Sequence, residues 1–571
     1  MLEHRVLEDT QRLIQTIRTN IIGQDRVMQT PFGERRITYA DYTASGRSLK
    51  FIEEFIQGQV LPLYANTHTE ASGTGLHTTR LREEARSVIA EAVGATDDDV
   101  VIFSGSGATG AINSLIDCLN IRIPRNLNQK YDLQSHIPPE DRPVIFIGPY
   151  EHHSNEIPWR ETISDVVAIP ENQYGEIDIE KLDLELKRFS TRKLKIGSFS
   201  AASNVTGVLT NVYDITCLLH RHNAWAFFDY AAAAPYVNID LHPEKKNPDD
   251  NPRLDAVFIS PHKFIGGPQT PGILVGNREL FQNQVPGKPG GGTVSFVSPS
   301  RHAYLGDISH REEGGTPAII ESIRAGLVFQ LKQKVGVQEI EKRERGFVQE
   351  AIRQWSENPG ISILGSKTLP RLSIVSFNLG HKRPLHHNFA VRLLNDLFGI
   401  QARGGCSCAG PYGHHLLGIG EEKSMEFYCV VTQDFEGIKP GWIRVNFNYF
   451  ISRESFQFIL DAVQFIADYG EKFLPLYTFD IKTGLWEHHD PRKARPFSLR
   501  RDLDYHQGQL QYRCTMSTGL ESERRWYLQE AQRLAEHLVE ERERYAWNRQ
   551  ELPPELEKLR WFLMPADVIG P

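Results

Sequence analysis

The sequence predicts an α/β protein built on a mainly parallel sheet wrapped by helices, and three observations predict it. Five short runs, VVIF (100–103), VIFIG (144–148), LKIGSFS (194–200), WAFFD (225–229) and AVFIS (256–260), are almost continuously apolar, as strands buried on both faces are. Helical stretches separate them, which is the alternation a parallel sheet needs for its crossovers. Each run ends in small or polar residues, and open α/β sheets bind ligands beyond the carboxyl ends of their strands.

With 571 residues the chain exceeds what one hydrophobic core organises, so several domains are expected. Hydrophobic residues make up 40% and charged residues 24%, near globular averages, and no apolar run approaches the roughly 20 residues of a membrane helix. A collagen, a disordered chain and a membrane protein are excluded on these grounds. The 64 Lys+Arg against 72 Asp+Glu give a net charge of −8 without a dense basic block, so nucleic acid is not an expected partner. The opening MLEHRVLEDTQ is acidic early and lacks an apolar h-region, and a cytoplasmic location is expected. Six cysteines, two of them as Cys406-Ser-Cys408, suit a reducing compartment. No second cysteine pair stands at zinc spacing, so no metal is expected.

In chain order, residues 1–38 read as an N-terminal helical segment and 39–318 as a large domain. Within the large domain, 121–143 carries four prolines and no helical period, which makes it a surface insertion. Residues 281–318 are rich in Gly and Pro, and a long helix near 318–357 leads into a smaller α/β domain, the linking helix and small domain together spanning 319–468. The rest, 469–571, is an extension. Its stretch 475–502 mixes aromatic and charged residues as a strap packed across the body would, and 520–545 is a charged helix. No internal repeat is evident.

Four signals follow the strands. SGSGATG (104–110) is a glycine-rich turn that feeds a helix, and free N–H groups there suit an anion such as phosphate. It matches G-x-G-x-x-G formally, but the dinucleotide reading needs a close-following strand with an acidic residue, and the insertion stands in that place. Lys263, in SPHKFIGG, lies directly past a strand. It is either a solvated loop residue or a desolvated amine able to form a Schiff base with a carbonyl cofactor. Asp229 ends WAFFD, where a carboxylate could hold a pyridinium nitrogen protonated. His152, in GPYEHHSNEIPW, could lie flat on an aromatic ring. Singly each has a bland structural reading; in this order after successive strands they are the parts of a pyridoxal phosphate site.

The chain resembles the class V aminotransferase family, within the type I fold of pyridoxal-phosphate enzymes, and most closely the cysteine desulfurase and selenocysteine lyase branch. The residues that carry the resemblance are YADYTASG (39–46), GATGAIN (107–113), EHHSNEIPW (151–159), SNVTG (203–207), FFDYAA (227–232), SPHK (260–263), REEGGTP (311–317), RGGCSC (403–408) and WIRVNFNYFIS (442–452). The resemblance implies a large domain with a mainly parallel seven-stranded sheet and a smaller C-terminal domain. It also implies that Lys263 forms the Schiff base, that Asp229 pairs with the ring nitrogen and that His152 stacks on the ring. Asn204 would face the cofactor's phenolic oxygen and the substrate, and Ala108, Thr109, Ser260 and His262 would hold the phosphate. A homodimer follows, with Thr316 reaching the phosphate of the neighbouring subunit. Arg444 would grip the substrate carboxylate, for which a planar guanidinium is suited, and Arg403 is a second candidate; the bland reading of each is a surface salt bridge.

In that branch a loop cysteine takes sulfur from cysteine, leaving alanine and an enzyme persulfide. The family's Arg-x-Gly-x-x-Cys spacing is kept by Arg403, Gly405 and Cys408, so Cys408 is the matched nucleophile. Two departures stand out. Cys406 and Ser407 occupy positions where relatives often have two histidines, and Ala232 stands where relatives commonly carry a glutamine. The alternative is another pyridoxal-phosphate reaction, an aminotransferase, lyase or epimerase, in which Cys408 is incidental. A docking surface for a sulfur-accepting partner is the alternative reading of the 475–502 strap.

Overall fold

The structure is a computed structural model and describes residues 2–67, 69–490, 497–512, 517–540 and 547–569. The chain opens with α1 (Leu2–Thr19), followed by a two-stranded hairpin, Val27–Thr30 with Gly33–Arg36, where the sequence suggested only helix. The large domain then contains α2 (Gly73–Ala92), β1 (Asp99–Ser104), α3 (Gly107–Cys118), β2 (Val144–Ile147), β3 (Asp165–Ala168), β4 (Lys195–Ser200), β5 (Trp225–Asp229), β6 (Ala256–Ile259) and β7 (Gly272–Asn277). These seven strands form one sheet in the order β1-β7-β6-β5-β4-β2-β3. Strands β6, β5, β4, β2 and β3 run parallel, whereas β7 is antiparallel to both of its neighbours.

The five apolar runs became β1, β2, β4, β5 and β6. The two strands without a clear local signal each have a physical reason for it. At the sheet edge, β3 is only half-buried and needs no continuous apolar run. Strand β7 begins at Gly272, just after the Gly- and Pro-containing turn that follows Lys263, and its start packs against the loop after β1: a Cβ on Gly272 would lie 1.9 Å from the Gly107 carbonyl oxygen. Phe146, Phe199, Phe227, Phe228 and Phe258 are fully buried on the central strands, and each contributes about 1.5–3 kcal/mol relative to exposure.

The 121–143 insertion does contain a short helix, Arg125–Tyr131, with no buried residue, and it ends at Asp132 in the left-handed conformation (φ 49°). The expected linking helix is two helices, α4 (Ile319–Val335) and α5 (Val337–Ser356), broken at Gly336 with φ 86°, a conformation that glycine adopts without cost. Upstream of them, Glu313 of the REEGGTP stretch is buried between Arg82 and Arg86 of α2 and accepts the Phe103 N–H of β1 (2.6 Å). That network ties the loop carrying Thr316 to the sheet.

The second core is built from β8 (Ile361–Ile363), β9 (Ile374–Leu379), α6 (His387–Phe398), β10 (Arg403–Gly405), α8 (Glu421–Val431), β11 (Trp442–Asn446) and α9 (Arg453–Tyr469), whereas α7 (Gly410–Leu416), between β10 and α8, packs on the main core through Tyr412 and Leu416. Its sheet is antiparallel in the order β8-β9-β11-β10, with Trp355, Phe377, Phe389 and Phe456 among its fully buried side chains. Residues beyond 468 share this core. They form a hairpin, β12 (Tyr477–Asp480) with β13 (Leu485–His488), and α10 (Glu523–Glu540). Tyr477 and Trp486 of the hairpin are buried there, and Tyr477 Oη donates to Asp396 of α6 (2.9 Å). Along α10 the buried residues are Arg524, Tyr527, Ala531, Ala535 and Leu538, a spacing of three and four that places them on one helix face. Residues 491–496 of the strap and 541–545 of the charged stretch lie outside the described residues. Among the described residues no helix is long and apolar enough to cross a membrane.

Candidate active site

The carboxyl ends of β1, β2, β4, β5 and β6 open on one cavity of about 210 Å³ at the seam with the small sheet. It is lined by Ala108, Thr109, His152, Asn204, Asp229, Ser260, His262, Lys263, Arg403, Cys408 and Arg444, so eight strand-end or loop positions, two residues of the first turn of α3 and one mid-strand arginine converge. Of the residues singled out in the sequence, Thr316, on an exposed turn, and Cys406 do not line it.

The floor is a turn. Gly105 (φ 37°) and Gly107 (φ 56°) turn β1 into α3, and a Cβ on Gly107 would meet Ser260 Oγ and a His262 ring carbon at 2.9 Å. The Ala108 N–H donates to Ser260 Oγ (2.8 Å). Thr109 and Ser154 share a hydroxyl hydrogen bond (2.6 Å), and Ser154 also contacts His152 Nδ1 (3.0 Å). The side of α3 facing the cavity thus offers hydroxyls, an imidazole and a helix start whose N-cap, Ser106, makes no side-chain cap bond.

Charge in the cavity is set by burial. Lys263 lies deep in the protein, and desolvation lowers its ammonium pKa to about 8, against the opposing pull of Asp229. Burial raises the Asp229 carboxyl above its ordinary value, while the Ala231 N–H (2.8 Å) and the Lys263 charge pull it back. His152 is lowered to about 3 by burial and then by the Lys263 charge, and His262 to about 4 by the same two causes. Both rings are neutral at physiological pH.

Beneath the site is a carboxylate that sequence reasoning quoted but did not single out. Glu151 accepts from Ser200 N–H and Oγ–H (2.9 and 2.6 Å), from Asn155 (2.7 Å) and from Gly148 N–H (3.1 Å). Burial lifts it to about 7 against those hydrogen bonds, and Asp229 adds to the rise. It joins the ends of β2 and β4.

The small sheet supplies the two arginines. Arg403 of β10 and Arg444 of β11 are directly opposite across the strand pair, an arrangement that like charges disfavour. Asp41 resolves it: Oδ1 accepts from Arg444 Nη2 (3.1 Å) and Oδ2 from Arg403 Nε (3.0 Å). Arg444 Nη1 also donates to the Asn204 carbonyl (3.0 Å). Both arginines therefore pair with an aspartate the sequence did not suggest, because Asp41 is 362 positions from Arg403; the pair of Arg403 is near the surface, as its bland reading has it, whereas that of Arg444 is buried and not the surface salt bridge expected. Arg444 is nevertheless not spent, since its buried Nε has no partner, and neither has Asn204 Oδ1.

The two neighbouring thiols separate in space. Cys408 is exposed and lines the cavity, whereas Cys406 is half-buried against the main core. Residues 406–409 form a tight turn closed by Ala409 N–H to Cys406 O (3.1 Å), with Ser407 at φ 51° and Cys408 at φ 55°. Two consecutive non-glycine residues in the left-handed region cost on the order of 1–3 kcal/mol each, so the surroundings must hold them. Asn204 Nδ2 donates to the Ser407 carbonyl (2.8 Å) and the His153 N–H to the Cys408 carbonyl (2.8 Å). Ala232, the second departure, also lines the cavity and brings no donor to it.

The sequence model of the family described as Aminotransferase class-V matches residues 38–434. The chain belongs to the class-V aminotransferase family. A probable cysteine desulfurase of Halalkalibacterium halodurans is 28% identical over 410 residues, covering 71% of this chain and 92% of that protein. One from Staphylococcus aureus is 27% identical over 418 residues, covering 72% and 93%. Among solved structures, the apo cysteine desulfurase of Thermococcus onnurineus superposes with a TM-score of 0.61 at 22% identity, covering 76% of this chain and 95% of that one. The cysteine desulfurase CsdA of Escherichia coli gives 0.57 at 22% identity, with 74% and 93% covered. This class-V chain therefore has the type I fold expected from the resemblance. The family match ends at residue 434, so β11 with Arg444, and the whole C-terminal extension, lie beyond it.

Proposed function

We propose that this class-V enzyme uses pyridoxal phosphate to cleave the carbon–sulfur bond of cysteine or a related amino acid, giving alanine and a persulfide on Cys408. The observation that carries the reading is that Lys263 and Cys408, which come from different domains, open on the same cavity between a cluster suited to phosphate and a pair of arginines.

The residues fit the cofactor. Asn204 Oδ1 is buried and unpartnered at the wall, and the Gly107 turn leaves a cradle that a side chain would fill. Ala108 N–H, Thr109, Ser260 and His262 would hold the phosphate, Asp229 the ring nitrogen, and the neutral His152 ring would stack on the cofactor. When bound, the cofactor supplies a carbonyl for an amine and an electron sink for bonds at the substrate α-carbon. Lys263 suits attachment to it, because an amine lowered to about 8 has a substantial neutral fraction near neutral pH. As a second subunit's contribution, Thr316 would complete the phosphate site, which makes the protein a homodimer in this reading. A reducing, cytoplasmic setting suits its free thiols.

Arg444 would bind the substrate carboxylate, with Arg403 beside it and Asn204 facing the substrate and the cofactor's phenolic oxygen, and so orient the sulfur toward Cys408. The Cys408 thiolate attacks that sulfur, forming an S–S bond as the substrate Cβ–S bond breaks. The electron pair stays with carbon, which takes up a proton, and alanine leaves. A thiol reductant or a sulfur-accepting partner protein then removes the outer sulfur.

The test is to incubate purified protein and pyridoxal phosphate with L-cysteine and a thiol reductant, and to quantify alanine and sulfide. Equal amounts of the two are expected; absence of alanine would overturn the cysteine reading. In the same assay, Arg444→Lys is expected to raise KM about tenfold or more, the worth of one charge-assisted hydrogen bond, with kcat changed far less. An unchanged KM would remove Arg444 from carboxylate binding.

A further inference from the structure

His153 is adjacent to the ring-stacking candidate His152, yet it faces the other way, toward the cysteine turn. It binds that turn at two points, on Cys408 and Gly410, that flank Ala409. The His153 N–H donates to the Cys408 carbonyl (2.8 Å), and its Nε2 accepts from the Gly410 N–H (3.0 Å), the first residue of α7. Gly410 lets the ring approach, since a Cβ there would lie 3.2 Å from Nε2. The acceptor role requires a neutral ring with its proton on Nδ1. Burial lowers the His153 pKa, and the charges of Lys439 and Arg160 lower it further; the His152 ring is the other titratable neighbour, 6.3 Å away centre to centre. Burial and the two cationic charges keep the ring neutral and accepting.

The turn needs such a clamp. Ser407 and Cys408 both occupy left-handed backbone conformations, and the ties crossing from the large domain are those of His153 and the Asn204 side chain to Ser407 O. Chain segments more than 200 residues apart thus meet at one turn.

We propose that His153 is a positioning residue that holds the Cys408 turn against the cavity through its imidazole acceptor. The proposal rests on the reading of Cys408 as the nucleophile only for its kinetic arm. Its structural arm is independent of that reading, because Cys429 on α8 is also exposed and serves as an internal reference for thiol accessibility.

The experiment uses the full-length holoenzyme and iodoacetamide, with labelling of Cys408 and Cys429 followed by peptide mass. His153→Phe keeps a ring but removes the acceptor; His153→Gln places an oxygen close to where Nε2 stands. Cys408 in His153→Phe is expected to label about fivefold faster relative to Cys429, the scale of one lost neutral hydrogen bond. Alanine formation should fall by a similar factor in kcat with KM unchanged, and His153→Gln should restore both. Gly410→Ala, which crowds the same contact, should accelerate Cys408 labelling in the same sense and decides the matter if His153→Phe does not fold. Equal acceleration of both cysteines, or an unchanged Cys408-to-Cys429 ratio in His153→Phe and Gly410→Ala, overturns the proposal. If wild-type protein makes no alanine from cysteine while the labelling ratio shifts as stated, the clamp stands and the desulfurase reading fails.

Discussion

Lys263→Ala is expected to abolish turnover, by about 10³-fold or more for loss of a group that both attaches the cofactor and moves a proton, and to leave no pyridoxal covalently trapped on the chain after borohydride reduction. The same lysine makes a second, opposite expectation about stability. Its pKa in the fold is about 8 against 10.5 for the free side chain, with burial as the main cause. The folded protein therefore binds fewer protons than the unfolded chain between about pH 8 and 10.5. Stability rises with pH across that window, and the cost of burying the ammonium is present in full below it. Lys263→Met, which keeps the volume without the charge, should accordingly raise the Tm of the cofactor-free protein near pH 7, with the gain fading above pH 10. Activity lost while stability is gained marks a residue kept for chemistry. A Lys263→Ala protein that retains turnover would remove the lysine from the mechanism, and a Lys263→Met protein that melts lower at pH 7 would remove the burial argument.

Cys408→Ala is expected to stop sulfur release, by about 10²-fold or more for removal of the nucleophile, without changing borohydride trapping of the cofactor on Lys263. Cys406→Ser should keep most of the activity, because Cys406 packs on the core and does not line the cavity. The pair of variants separates the two thiols, and alanine plus sulfide measured with each enzyme checks it. Alanine production intact in Cys408→Ala would instead make Cys408 incidental and remove it as the nucleophile.

Much of the large domain was legible locally. A strand buried on both faces must be apolar throughout, so VIFI, WAFFD and AVFI announce themselves, and the residue closing each run is placed by the strand before it. That is why Asp229, Lys263 and His152 could be picked out together. The edge strand β3 and the reversed strand β7 could not, because a half-buried strand and a glycine-flanked one lack that signature. Asp41, Glu151 and His153 were visible only as letters within motifs. Asp41 acts by joining Arg403 and Arg444, Glu151 by joining the ends of β2 and β4, and His153 by gripping a turn in the other domain.

The extension divides the same way. The charged helix near 520–545 shows its amphipathic spacing in the sequence, yet which surface its apolar face covers was decided by Tyr527, Ala531 and Ala535 entering the core of the small domain. The sequence by itself determined the sheet class, the strand-end residues and the family, since each depends on periodicity or on order along the chain. Only the tertiary structure decided that Cys408 rather than Cys406 opens on the cavity, that one aspartate neutralises two facing arginines, and that the cysteine turn is clamped. Those outcomes are contacts between segments hundreds of residues apart, and such contacts leave no pattern in either segment alone.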